Sequence, residues 1–220
     1  MKLTLSIATA IALIGASSIA RADMIAVTSI TGGSSFGSVN TTNQTIGYTF
    51  STTTAISVTE LGFYDITPSD PLTQTHQVGI WNSSGTLLAS VTVGTTDPLD
   101  GSFRYDAITP IELASGMTYT IGAAITSPFT DYYYIPSSIT TSPDITVLGS
   151  ARNGTSGGFS DPTTVTAGNG RIGPNFEFVE TAADVPEPVS LLLLGSGLLG
   201  LSVVRRRKAD PGRQAASQPR

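Results

Sequence analysis

The stretch "QVGIWNSSGTLLASVTV", Gln77 to Val93, decides the fold. Val78 and Ile80 share one side of an extended chain. Asn82-Ser83-Ser84-Gly85 supplies turn chemistry, with Gly85 free to take positive φ. Leu87, Ala89, Val91 and Val93 then alternate with Leu88, Ser90 and Thr92. Two period-2 runs around a Gly-containing turn predict a β-hairpin.

The same period recurs on both sides of the hairpin. "TIGYTF", Thr45 to Phe50, is β-rich. In "AISVTELGFYD", Ala55 to Asp65, Ile56 and Val58 fall on even positions but Leu61 and Phe63 on odd ones. A one-residue slip near Thr59-Glu60 predicts a bulge, because alternation cannot otherwise change face. In "SFRYDA" the period places Phe103, Tyr105 and Ala107 inward and Arg104 and Asp106 outward. In "GMTYTIGAAI" it groups Met117, Tyr119, Ile121 and Ala123. Asp131–Ile135, Ile145–Ser150 and "NFEFVE", with Phe176 and Phe178 inward, complete about nine strands. No sustained helical period occurs between the two ends of the chain. The expectation is an all-β, antiparallel β-sandwich, Greek-key or jelly-roll-like. Leu113-x-x-Gly116-x-x-Tyr119 resembles the tyrosine corner of Greek-key sandwiches; a turn followed by an ordinary inward Tyr reads equally well.

The ends of the chain carry address information. Lys2, an apolar run from Leu3 to Ile14, and Ala20-Arg21-Ala22 predict a signal peptide over 1–22, with a mature start near Asp23. The expected organisation continues with a β-sandwich ectodomain over 23–180 and a linker over 181–188. An apolar helix with a cationic stop over 189–208 and a disordered tail over 209–220 complete it. Val189 to Val204 carries no charge, and as a helix it would reach about 24 Å against about 30 Å of hydrocarbon, a marginal transmembrane anchor. Arg205, Arg206, Arg207 and Lys208 would halt transfer and stay cytoplasmic.

Charge and composition exclude several function classes. From Asp23 to Pro188 there are 15 acidic and 3 basic residues, and no lysine lies between Lys2 and Lys208. Such a surface does not hold nucleic acid through its phosphates, and self-repulsion keeps it soluble and monomeric. No cysteine is present, which removes disulfides, thiol nucleophiles and thiolate metal sites. His76 is the only histidine, and no G-x-S-x-G elbow accompanies it, so a structural or solvated role is expected. Asp65, Asp97, Asp100 and Asp106 fall near strand ends. As paired carboxylates they would suit a secreted hydrolase, and Asp65 with Asp70, or Asp97 with Asp100, could hold structural Ca2+. The glycine-rich "GSARNGTSGGFSD" and "AGNGRIG" lack G-K-[ST] and read as flexible loops. In "FTDYYYIP", Tyr132 and Tyr134 share a face and could stack on sugar rings, with Tyr133 as a lone surface aromatic in the blander alternative. No catalytic constellation emerges.

Val185-Pro186-Glu187-Pro188, then the weak apolar helix, then the arginine cluster, resembles the PEP-CTERM sorting signal over residues 185 to 208. The resemblance implies an exosortase that recognises the tail near Pro-Glu-Pro, and an exporter of Gram-negative type with an exopolysaccharide matrix. The physical reading agrees: two prolines fix φ and lack N–H donors, leaving an extended handle. From Leu61 to Ala124 the chain also resembles a β-rich domain of unknown function found in exported bacterial proteins, which implies a sandwich and transfers no activity. The expected protein is an exosortase-sorted, biofilm-matrix or surface protein with a non-catalytic structural or adhesive role. A glycan-binding module is the alternative and a secreted hydrolase the third reading.

Overall fold

The computed structural model describes residues 22–36, 43–66, 71–128, 130–154 and 158–181. The first compact unit ends at Thr181. The expected signal helix and C-terminal apolar helix lie outside the described residues. So do Ala20, the Pro-Glu-Pro handle at Val185–Pro188, and Arg205–Lys208.

Among the described residues fifteen strands run in order: β1 (Met24–Ile25), β2 (Val27–Thr31), β3 (Ser34–Phe36), β4 (Gln44–Thr52), β5 (Ile56–Tyr64), β6 (His76–Asn82), β7 (Leu87–Val93), β8 (Leu99–Asp100), β9 (Phe103–Leu113), β10 (Thr118–Ile125), β11 (Tyr133–Ile135), β12 (Ser138–Thr141), β13 (Ile145–Arg152), β14 (Thr164–Thr166) and β15 (Pro174–Glu180). A five-stranded sheet has the order β1-β15-β5-β9-β8, and a six-stranded sheet the order β14-β13-β4-β10-β6-β7. Two small ribbons, β11-β3 and β12-β2, accompany them. The strand pairings are antiparallel, which gives an all-β, sandwich-like fold of curled sheets. The strands beyond the expected nine are short, too brief for a period to register.

The core is built from the alternating residues of both sheets. Ile46, Phe50, Val78, Ile80 and Ile121 come from the six-stranded sheet, and Ile56, Val58, Leu61, Phe63, Phe176 and Phe178 from the five-stranded one; all are fully buried. Phe50 and Phe176 meet with ring centroids 4.9 Å apart. Each such ring buries a large apolar area.

The turn of the β6–β7 hairpin forms as its residues dictate. Gly85 takes φ +77°. Asn82 Oδ1 accepts from the N–H groups of Ser84 and Thr86, both at 3.0 Å. The expected slip in β5 is present: register shifts at Thr59 against β9 and β15 alike. It keeps Ile56, Val58, Leu61 and Phe63 all in the core. The tyrosine corner forms too. The Ala114 N–H donates to the Tyr119 hydroxyl at 2.9 Å, and the turn itself docks on β4 through Gly116 N to the Thr52 carbonyl, 2.7 Å.

Several faces differ from simple alternation. A bulge in β7 between the partners of Ile80 and Trp81 turns Leu87 out, 42% exposed, while Leu88 packs on the core. Met117 precedes β10 and is 51% exposed. Ala107 is exposed, and Ile108 takes its expected place against the core. In β9, Arg104 lies opposite Phe63 and Tyr105 opposite Gly62, so Arg104 shares the side of Phe63 and the tyrosine takes the other. Tyr105 is buried there because Gly62 has no side chain: a Cβ at Gly62 would lie 2.5 Å from the Tyr105 ring.

Asn175 locks this region. Its Oδ1 accepts from the Val27 N–H at 3.0 Å, and its Nδ2 donates to the Val27 carbonyl and to the Tyr105 hydroxyl, both at 3.0 Å. The Tyr48 hydroxyl approaches the same Oδ1 at 3.4 Å. One amide side chain thus stands in for strand pairing where β1 leaves the sheet.

The glycine-rich stretches are not free loops. Thr45 and Asn153 pin the segment at Gly158–Ser160: the Thr45 hydroxyl and Asn153 Nδ2 both donate to the Gly158 carbonyl, at 2.7 and 3.1 Å. Asn153 Nδ2 also donates to Ser160 Oγ at 2.8 Å. Phe159 then packs on Trp81, centroids 5.1 Å apart. In the second stretch the Arg171 N–H donates to the Gly47 carbonyl at 3.0 Å, and Ile172 is fully buried.

Candidate functional site

His76, the one histidine, opens β6 and is buried. Its ring stacks on Phe63, centroids 3.8 Å apart. Nε2 lies 2.9 Å from Asp131 Oδ2 and Nδ1 3.1 Å from the Ala124 carbonyl oxygen. Both ring nitrogens thus face oxygen partners inside the fold. Asp131 also accepts from Thr73 N–H (2.7 Å), Thr73 hydroxyl (2.5 Å) and Gln74 N–H (2.9 Å). Burial pushes the Asp131 carboxyl up, but the hydrogen bonds from His76, Thr73 and Gln74 outweigh it and hold the group below the usual carboxylate range. This is the structural reading of His76, with the histidine clasping the segment before β6 to the one before β11.

The Asp65 and Asp97 carboxylates serve separate partners. Asp65 pairs with Arg104, whose Nη1 also donates to the Asp97 carbonyl at 2.7 Å. The Asp97 carboxylate caps the Gly94 N–H at 2.6 Å. Asp70 lies outside the described residues. Among the described residues no three Asp, Glu or His side chains form a ready metal cage.

The tyrosine run is largely internal. Tyr133 is buried and stacked on Phe36, centroids 5.4 Å apart, the reverse of a surface aromatic. Tyr132 and Tyr134 are half-buried. Tyr134 meets Tyr64 edge-on at 5.1 Å. Tyr132 borders a cavity of about 10 Å³ with Tyr64, Leu72 and Asp131, room for one water at most. A larger cleft of about 410 Å³ separates the edges of β7 and β9; Leu88, Ala89, Ser90, Ala107, Ile108, Thr109 and Ile111 line it, with no acid or base among them. Of the two cleavage-site residues, Ala22 is the first described residue and is exposed.

One constellation escaped sequence reading. Glu60 and Glu177 are direct cross-strand partners of β5 and β15. Burial, then Glu60, Asp100 and Asp23, push Glu177 up to about 7. Burial, then Asp23 and Asp106, also raise Glu60. The local signal was present in the Thr59-Glu60 slip, but the partner strand was not readable.

Together these features define the class. It is a β-rich domain whose buried polar groups hold the fold together, on a chain whose end carries a sorting address. The end of the chain, residues 184–208, matches the PEP-CTERM protein-sorting motif. Residues 32–169 match the domain of unknown function DUF4082, and the chain belongs to that family. No curated protein matches it. The two identities are those of an exported and sorted surface protein, a substrate of the exosortase pathway typical of Gram-negative surfaces.

Proposed function

We propose that this chain is a structural or adhesive component of the cell surface or extracellular matrix, with its folded domain as cargo and the tail as its address. The observation that carries the reading is the sorting motif at 184–208 joined to the DUF4082 domain. In this reading the signal peptide is removed after Ala22 and the ectodomain spans 23–180. The handle Val185, Pro186, Glu187 and Pro188 is presented to the exosortase, and 189–208 anchors the chain transiently, Arg205 to Lys208 inside. The Tyr119 corner supports a Greek-key connection within the sandwich. The engaged nitrogens of His76 and the separate partners of Asp65 and Asp97 support a structural role over a hydrolytic one. Half-burial of Tyr132 and Tyr134 supports it over a glycan-stacking module. Exopolysaccharide is then a surrounding matrix met through neutral contacts, since the acidic domain repels anionic polymer at low salt.

Intact-mass measurement of the exported protein tests this. The expected product lacks residues 1–22 and everything after the Pro-Glu-Pro region. A mature product that retains Arg205 to Lys208 overturns the sorting role assigned to the handle.

A further inference from the structure

We propose that Asn169 is a site of spontaneous covalent modification, where the Gly170 backbone nitrogen closes on the Asn169 side-chain carbonyl carbon and expels ammonia. Asparagine is followed by glycine twice in the chain, at Asn153-Gly154 and at Asn169-Gly170. Glycine has no side chain to screen its nitrogen, so both dipeptides have the composition for this ring closure. The fold separates them. Asn153 is only 8% exposed. The Thr45 N–H donates to its Oδ1 at 2.6 Å, and its Nδ2 donates to the Gly158 carbonyl at 3.1 Å and to Ser160 Oγ at 2.8 Å. Its own N–H donates to the Thr45 carbonyl at 3.0 Å. Turning this amide toward Gly154 would break the whole set.

Asn169 is held by one end only. It is half-buried, in the irregular chain between β14 and β15. Its Nδ2 donates to the Ser137 carbonyl at 2.7 Å and to the Pro136 carbonyl at 3.3 Å. Among the described residues its Oδ1 accepts no hydrogen bond and the Gly170 N–H donates none. The attacking nitrogen and the carbonyl it attacks are thus both unengaged. In the reaction the Gly170 nitrogen gives up its proton and bonds to Asn169 Cγ. The Cγ–Nδ2 bond breaks, and Nδ2 takes up a proton and leaves as ammonia. Water then opens the five-membered succinimide at either carbonyl, giving aspartate or isoaspartate, so the net change is water for ammonia. The new carboxylate only accepts, as do the Pro136 and Ser137 carbonyls, and the tie between this segment and the β11–β12 connection is lost.

The test is prolonged incubation of the full chain at pH 7 and at pH 9, followed by peptide mass mapping with fragmentation that tells isoaspartate from aspartate. Asn169 should convert to a product heavier by the difference between water and ammonia, and faster at pH 9, because the attacking nitrogen must lose its proton. Asn153 should react more slowly by about tenfold or more, since freeing its amide breaks three hydrogen bonds in a buried place. In urea strong enough to unfold the chain the two sites should react alike. Converted protein, separated by anion exchange through its added negative charge, should melt lower than unconverted protein. An equal or faster reaction at Asn153 in the folded chain overturns the proposal, as does an Asn169 that stays intact while the unfolded chain reacts. A preference for Asn169 that persists in urea also overturns it, because the choice then lies in the neighbouring sequence and not in the fold. Equal melting of the two forms overturns the loss of the tie.

Discussion

Replacing Asn175 by Ala should be among the most damaging single substitutions in this fold. Both Asn175 and Val27 are fully buried. The substitution strips partners from the Val27 N–H and carbonyl, each held at 3.0 Å, and from the Tyr105 hydroxyl, also at 3.0 Å. Water cannot reach these groups. Each buried backbone group left unsatisfied costs about 1 to 3 kcal/mol, so the expected loss is about 3 to 5 kcal/mol. Tyr105→Phe, which removes only one of these bonds, should cost about 1 kcal/mol. Asn175→Asp keeps an acceptor for the Val27 N–H but loses both donated bonds and buries a charge, so it should fall near the alanine variant. Urea unfolding followed by tyrosine and tryptophan fluorescence measures this. With a slope of about 2 kcal/mol/M, the alanine midpoint should drop by about 1.5 to 2.5 M. A loss below about 1 kcal/mol at unchanged slope would refute the claim that this amide substitutes for strand pairing.

Three further outcomes are expected. Tyr119→Phe leaves the Ala114 N–H without its acceptor and should cost about 1 to 3 kcal/mol; an unchanged urea midpoint would reduce Tyr119 to a packing residue. Gly62→Ala drives a Cβ to 2.5 Å from the Tyr105 ring and 2.8 Å from the Arg104 carbonyl oxygen. It should destabilise by about 1 to 3 kcal/mol, with partial recovery on adding Tyr105→Leu, and an absence of recovery would place the clash at the backbone. Glu177 is pushed from 4.5 to about 7, so the fold favours its neutral form. The stability it contributes is complete below pH 4.5 and lost as pH rises through 7. The full difference corresponds to about 3 kcal/mol, and screening of the exposed neighbours reduces this to about 1 to 2 kcal/mol. Melting temperature should fall between pH 5 and pH 8, and Glu177→Gln should flatten that slope.

Local pattern carried the reading where one residue's side followed from its neighbours. The β6–β7 turn, the slip at Thr59 and the Tyr119 corner are contained within a few residues, and each appears in the fold. Period failed where a bulge intervened without an apolar mismatch to betray it. Leu87 and Leu88 are interchangeable in sequence, and only the register with β6 shows which one turns out. It failed again for Tyr133, which is buried by Phe36 from a distant ribbon that no local window contains. Glu60 and Glu177 illustrate the same limit at the site. Each reads alone as a solvated acid, and their meeting depends on β5 lying beside β15. The pairing of sheets is a property of the whole chain, whereas alternation is a property of six or seven residues.

The antiparallel pairing of β1 with β15 has a mechanical consequence. Met24 faces Phe178 and Ile25 faces Glu177, so the chain enters and leaves the fold at neighbouring points. β15 is flanked on both sides, by β1 and β5, and Thr181 is fastened to the Ala55 carbonyl through its N–H at 3.0 Å and its hydroxyl at 2.9 Å. Tension applied beyond Thr181 therefore runs along the axis of β15, at right angles to its hydrogen bonds, and loads the ladder to β5 as a set instead of opening it rung by rung. The short β1 adds a second row on the other flank. Pulled from this end, the domain resists as a lap joint does, and cutting away residues 23–25 should lower the rupture force measured on single molecules while leaving the remaining sheet order intact.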